Sequence, residues 1–139
     1  MAKSQTICIV DDEAAIRETL ENVLTDEGYS VMSCHDSIIF FKKLEQQIPD
    51  LVLLDIWLPG VDGMAILSKI RETHPDLPVI MMSGHAGIDA AVNAIKLGAV
   101  DFMEKPLRLE ILLDKIAVVF SNKPSERVKD VASDTGMEV

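Results

Sequence analysis

Short apolar runs in this chain repeatedly end on residues able to do chemistry. Asp11 and Asp12 follow ICIV at 7–10, Asp55 closes LVLLD at 51–55, Ser83 and Gly84 follow PVIMM at 78–82, and Lys105 follows VDFME at 100–104. If the runs are strands of one parallel sheet, all of these groups meet at one edge. Three aspartates gathered there are costly unless a cation neutralises them. An all-oxygen set favours a hard ion, and Mg²⁺ typically shares one or two carboxylates with a phosphate. Asp55 is the candidate nucleophile, because a carboxylate can form an acyl phosphate with no separate base to activate it. Lys105 would neutralise a phosphoryl oxygen and the Ser83 hydroxyl would donate to it. Backbone N–H groups near Trp57 and Gly84 would cradle the rest.

Each residue alone has an ordinary explanation. An Asp-Asp pair after a strand often caps a helix, an aspartate or Ser-Gly often marks a turn, and a lysine at a strand end is usually solvated. Together these explanations weaken, since four separate strand ends would have to acquire this chemistry by chance.

The runs at 7–10, 29–34, 51–55, 78–82 and 100–104 predict five strands, several apolar enough to be buried on both faces. Between them the apolar residues recur at helical spacing. Ile16, Leu20, Val23 and Leu24 predict a helix stopping at Gly28. Further helices are predicted over 37–47 with Ser37 as cap, 63–73, 87–97, and 108–120 with Leu109, Leu112, Ile116, Val119 and Phe120 inward. Strand and helix thus alternate five times, which predicts an α/β doubly wound sandwich with a parallel sheet between helix layers. Ligands in such sheets bind at the carboxyl ends of the strands.

The chain has 139 residues, enough for one domain with one core. Its formal charge of −10 repels phosphate backbones and anionic lipid, so direct nucleic-acid or membrane binding by this chain is not expected. Cys8 and Cys34 lie in apolar runs without metal-site spacing and read as small core residues. The first residues lack the apolar stretch of a signal peptide, and no segment approaches the ~20 apolar residues of a membrane span. A cytoplasmic location is the expectation. Residues 5–121 are predicted as the domain, and 122–139 as a polar tail or linker.

The blocks DDE at 11–13, LDIWLPGVDG at 54–63, MSGH at 82–85 and DFMEKP at 101–106 resemble the signature blocks of the response-regulator receiver family of bacterial two-component systems. The resemblance covers about residues 5 to 121. It implies a flavodoxin-like fold with strand order 2-1-3-4-5, and phosphoryl transfer from a histidine kinase, or a histidine phosphotransfer protein, onto Asp55. It further implies Mg²⁺ held by Asp11, Asp12, Asp55 and the main-chain carbonyl of Trp57. Ser83 stands at the Ser/Thr switch position, Phe102 at the aromatic switch position, and Lys105 at the phosphate-binding position, with a cis peptide before Pro106. The stretch SGHAGIDAAVNAIKLGAVDFMEKPL further resembles receivers of nitrogen-regulation-class activators, which normally continue into an ATPase and a DNA-binding domain. Neither a Walker-type motif nor room for one is present in this chain.

On this reading phosphorylation switches a surface made by the fourth helix, fifth strand and fifth helix, for an output domain, a partner protein or a phosphorylation-dependent dimer, most naturally in transcription regulation. Ala90, Ala91 and Ala94 are expected to give the fourth helix a small, flat docking face. A stand-alone receiver serving as a phosphate sink or shuttle is an alternative. An aspartyl-phosphate phosphatase of the haloacid-dehalogenase type fits less well, because it needs a second aspartate two residues after the nucleophile, where this chain has Trp57. The run Ile38-Ile39-Phe40-Phe41 must place at least one or two large apolar groups outward on a helix, and the resemblance implies that Trp57 and His85, two residues beyond Asp55 and Ser83, border the path of water to the phosphoryl group.

Overall fold

The computed structural model describes residues 5–84 and 87–121. His85 and the predicted tail at 122–139 lie outside them. By its contacts the chain divides into two units, Met1–Leu107 and Arg108–Val139.

The first unit carries β1 (Thr6–Val10), α1 (Ala14–Asp26), β2 (Ser30–Cys34), α2 (Ser37–Gln46), β3 (Leu51–Asp55), β4 (Trp57–Leu58), β5 (Val61–Asp62), α3 (Gly63–Thr73), β6 (Val79–Ser83), α4 (Ile88–Lys96) and β7 (Asp101–Glu104). The described part of the second unit is α5 (Leu109–Ser121), in which Leu112 and Ile116 are buried and Leu109, Val119 and Phe120 partly so. The five long strands form one parallel sheet in the order β2-β1-β3-β6-β7. This is the predicted doubly wound parallel sheet, in the implied order 2-1-3-4-5, since β6 and β7 are the predicted fourth and fifth strands. No helix among the described residues is long and apolar enough to cross a membrane.

Every residue of β3 and β6 is buried, as their unbroken apolar character requires. Alternation sorts β1 between the two faces. Cys8 and Val10 join a cluster with Phe40, Leu44, Val52, Leu54, Ile66, Leu67, Ile70 and Ala94, contributed from α2, α3, α4 and the strands. Ile7 and Ile9 are equally buried but lie outside that cluster, and α1, whose Leu20 and Leu24 are buried, contacts β1 and β2. The two thiols touch, with Cys8 Sγ 3.8 Å from Cys34 Sγ. That contact and burial push the Cys8 thiol up, so it stays protonated and acts as core.

Two local readings are corrected and a third is borne out. The cap of α2 is Asp36, whose carboxylate accepts the Ile39 N–H at 2.8 Å, while Ser37 begins the helix. The four-residue run after it is split by helical geometry: Phe40 is buried, Ile39 and Phe41 pack against the core, and Ile38 is 67% exposed. On α4 two of the three alanines face inward, with Ala94 fully buried and Ala90 packed on the core. Small side chains let the helix approach the sheet closely, and the outward stripe is instead Ile88, Val92 and Ile95.

An element absent from the sequence reading follows β3. β4 and β5 pair antiparallel, Trp57 with Asp62 and Leu58 with Val61, around Pro59-Gly60. Gly60 has φ +76°, as the third position of a turn led by proline requires.

Candidate functional site

Parallel strands put all their carboxyl ends on one side, and the polar groups emerge there. Asp11 and Asp12 follow β1, Asp55 ends β3, Ser83 ends β6, and Lys105 follows β7. Asp11 is fully buried, Asp55 nearly so, and Asp12 is exposed. One carboxylate oxygen from each of the three lies within 4.8 Å of the others.

Backbone contacts hold this arrangement. The Asp11 N–H donates to the Cys34 carbonyl at 3.1 Å, its own carbonyl accepts from Arg17 Nη1 at 2.8 Å, and Asp11 Oδ1 accepts the Glu13 N–H at 2.8 Å. Asp55 Oδ1 accepts the Trp57 N–H at 3.2 Å, and the intervening N–H, of Ile56, donates to the Met82 carbonyl at 2.9 Å. Lys105 is tied to the end of β6 by its N–H on the Ser83 carbonyl at 2.8 Å, and the Lys105–Pro106 peptide is cis.

The Lys105 ammonium is shared among three carboxylates: Asp11 Oδ2 at 2.8 Å, Glu13 Oε1 at 3.1 Å and Asp55 Oδ2 at 3.2 Å. Burial works against its charge, but Asp11 foremost, then Asp55 and Glu13, outweigh that cost and raise its pKa further. Burial, then the charge of Asp11, pushes the Asp55 carboxyl above its ordinary value, against the pull of Lys105 and the Trp57 N–H. One ammonium thus faces four nearby carboxylates, counting Asp12. Asp11 Oδ2, wholly buried, has only a charge contact with Lys105 and no aligned hydrogen bond. An excess of buried oxygen ligands and negative charge suits a hard divalent cation, and the donor set fits Mg²⁺.

The other predicted residues gather around this centre. Ser83 is fully buried, and Gly84, exposed, flanks the stem of Lys105, since a Cβ there would lie 3.9 Å from Lys105 Cβ. Trp57 turns its N–H to Asp55 while its side chain is 57% exposed. Phe102 packs against the core cluster. An apolar groove of about 920 Å³ between α2 and α3, lined among others by Phe41, Leu44 and Ile66, contains none of the site's acidic residues. The chemistry sits on an open, polar sheet edge.

Two residues of the site were quoted in the sequence blocks without a role. Glu13 is the third acid of DDE and holds Lys105. Gly63 packs so closely that a Cβ would lie 2.5 Å from the Asp55 carbonyl oxygen and 2.6 Å from Ile56 Cα, and its N–H donates to the Ile56 carbonyl at 2.7 Å. The acidic character of the first and the turn-forming context of the second were the available signals.

Comparison with known proteins agrees with this geometry. Residues 7–117 match the response regulator receiver domain family. The chain is 44% identical over 109 residues to the nitrogen assimilation regulatory protein NtrX of Azorhizobium caulinodans, covering 77% of this chain and 24% of that protein. It is 37% identical over 130 residues to the DNA-binding transcriptional regulator NtrC of Klebsiella pneumoniae, covering 91% and 28%. It therefore spans about a quarter of the length of these curated relatives. Among solved structures, the receiver domain of NtrX from Brucella abortus superposes with a TM-score of 0.80 at 40% identity, covering 84% of this chain and 99% of that one. The beryllofluoride-activated NtrC4 receiver domain dimer gives 0.80 at 36% identity, covering 84% and 97%. The chain belongs to the response regulator receiver domain family, the phosphoacceptor signalling modules of two-component systems, and within it is similar to the nitrogen-regulation receivers.

Proposed function

We propose that Asp55 accepts a phosphoryl group from the phosphohistidine of a histidine kinase or histidine phosphotransfer protein. The observation that carries the reading is the near-buried Asp55 carboxylate, sharing one lysine with Asp11 inside a three-aspartate cluster. In the transfer an Asp55 oxygen bonds to phosphorus as the N–P bond of the donor breaks, and the departing imidazole takes its proton from solvent. Asp11, Asp12, Asp55 and the Trp57 carbonyl would hold Mg²⁺, which supplies charge neutralisation for the phosphoryl oxygens. Lys105 pairs with one of those oxygens, Ser83 donates its hydroxyl to another, and the backbone at Trp57 and Gly84 orients the remainder.

The chain's own product is a phosphorylated state rather than a released molecule, so it acts as a signalling switch. Ser83 and Phe102 lie at the ends of β6 and in β7, on either side of α4 in sequence, and couple the phosphoryl group to the surface of α4 and β7. Ile88, Val92 and Ile95 make that surface apolar and suited to an output domain, a partner or a second copy. Residues 5–121 form the receiver and 122–139 a polar tail or linker, and the output is transcriptional. The working location is cytoplasmic, with no nucleic acid contacted by this chain.

Incubation with Mg²⁺ and acetyl phosphate should add one phosphoryl group by intact mass, mapped by peptide analysis to Asp55 and absent with a chelator. No uptake, or uptake elsewhere, would sink the reading. Mg²⁺ should also stabilise the fold, by about 2.7 kcal/mol at a hundredfold excess over its Kd. Asp12→Ala should weaken both effects, because it removes the exposed carboxylate of the cluster. Equal Mg²⁺-induced shifts in melting temperature for parent and variant would remove Asp12 from the metal set. Trp57→Ala should hasten decay of phospho-Asp55 if the indole hinders water, and an unchanged lifetime would exclude such shielding.

A further inference from the structure

Lys105 and the acidic cluster present a competition. Asp11 and Asp55 are partners of the ammonium and also members of the group that fits a divalent cation. A cation entering there repels the ammonium and competes with it for the same two carboxylates, so binding pushes Lys105 away from both. Its main chain cannot follow, because its N–H is fixed on the Ser83 carbonyl. Among its three partners only Glu13 stands outside the metal group, and that side chain is 58% exposed while Lys105 is 13% exposed. The backbone of Glu13 is in turn pinned, as its N–H donates to Asp11 Oδ1 at 2.8 Å.

We propose that Glu13 is a positioning residue for Lys105: it draws the ammonium outward, off Asp11 and Asp55, and so raises the affinity of the acidic cluster for a divalent cation. The inference rests on the Mg²⁺ site described above and deepens it. Without Glu13 the lysine pairs more fully with Asp11 and Asp55, and the cation has to displace a better-bound competitor. The effect therefore runs through Lys105 and should shrink when Lys105 is replaced.

A double-mutant cycle tests this. Mg²⁺ is titrated into the parent, Glu13→Gln, Lys105→Met and the double variant, followed by Trp57 fluorescence and by calorimetry, with thermal melts to verify folding. Glu13→Gln should raise the Mg²⁺ Kd about two- to fivefold, the range that a partly exposed ion pair is worth. In the Lys105→Met background the same change should have less than about half that effect on a logarithmic scale. Glu13→Asp, which keeps the charge but shortens the reach, should fall between parent and Gln. An equal factor in both backgrounds would overturn the proposal and make Glu13 a direct electrostatic contributor to the metal site. An unchanged Kd in Glu13→Gln would overturn it as well. Absence of Mg²⁺ binding by the parent would instead sink the site reading on which it stands.

Discussion

Asp55→Asn is expected to take up no phosphoryl group from acetyl phosphate and Mg²⁺, and to melt above the parent in metal-free buffer at neutral pH. The first effect is total, because the amide lacks the anionic oxygen that attacks phosphorus. The second comes from the cost of the charge that is removed. Burial and the neighbouring Asp11 raise the folded-state pKa of Asp55 above its ordinary value. A carboxyl whose pKa is higher folded than unfolded binds its proton more tightly in the folded chain. Its ionisation therefore destabilises the fold at pH values above the folded pKa, and the penalty fades as pH falls through that pKa. Asparagine is neutral throughout and keeps an oxygen to accept the Trp57 N–H. Lys105 loses one partner of three and retains Asp11 and Glu13. The variant should therefore melt above the parent at neutral pH, and the difference should narrow in acid. Thermal melts of both proteins across the acid-to-neutral range check this. A variant that melts lower than the parent at neutral pH, or a difference that does not change with pH, would contradict the electrostatic account.

Gly63→Ala is expected to cost about 2–3 kcal/mol of stability, the range of an overpacked core position. The added methyl meets only backbone: the Asp55 carbonyl oxygen at 2.5 Å, Ile56 Cα at 2.6 Å and the Ile56 carbonyl oxygen at 2.9 Å. No side chain can rotate away, so either the start of α3 or the end of β3 must move. The second choice shifts Asp55 itself, and phosphorylation by acetyl phosphate should then slow by roughly tenfold or more, as misplacement of a reacting group does. Gly84→Ala is the control, since its nearest neighbours are Lys105 Cβ at 3.9 Å and Cδ at 4.0 Å, which is ordinary contact. Its stability should stay within about 0.5 kcal/mol of the parent. Urea denaturation of the three proteins measures the difference, and a Gly63→Ala midpoint equal to that of Gly84→Ala would show that the backbone yields without cost.

The five sheet strands and five helices were legible in the residues because burial imposes a local period. Two-sided burial leaves the unbroken run of Leu51–Leu54, and one-sided burial leaves the i, i+4, i+8 spacing of Ile16, Leu20 and Leu24. The identities of Asp11, Asp12, Asp55, Ser83 and Lys105 and their places at strand ends were legible for the same reason, since parallel topology sends those ends to one edge. The ribbon at Trp57–Asp62 was not, because strands of two residues carry no period. Nor was the inward face of α4, where small and large apolar residues compete and only the distance to the sheet decides which turns in.

Spacing along the chain says nothing about which carboxylates share one ammonium. Lys105 meets Asp55 across 50 residues and Glu13 across 92, and those contacts depend on side-chain directions set by Ser83, Trp57 and the packing beneath them. By itself the sequence determined the fold and the chemical types at its active edge, because burial and strand polarity act residue by residue. The pairing of Lys105 with Glu13, and the packing of Gly63 against the Asp55 backbone, were decided only in the tertiary structure, where distances of 3.1 Å and 2.5 Å between segments set the electrostatics and the steric limits.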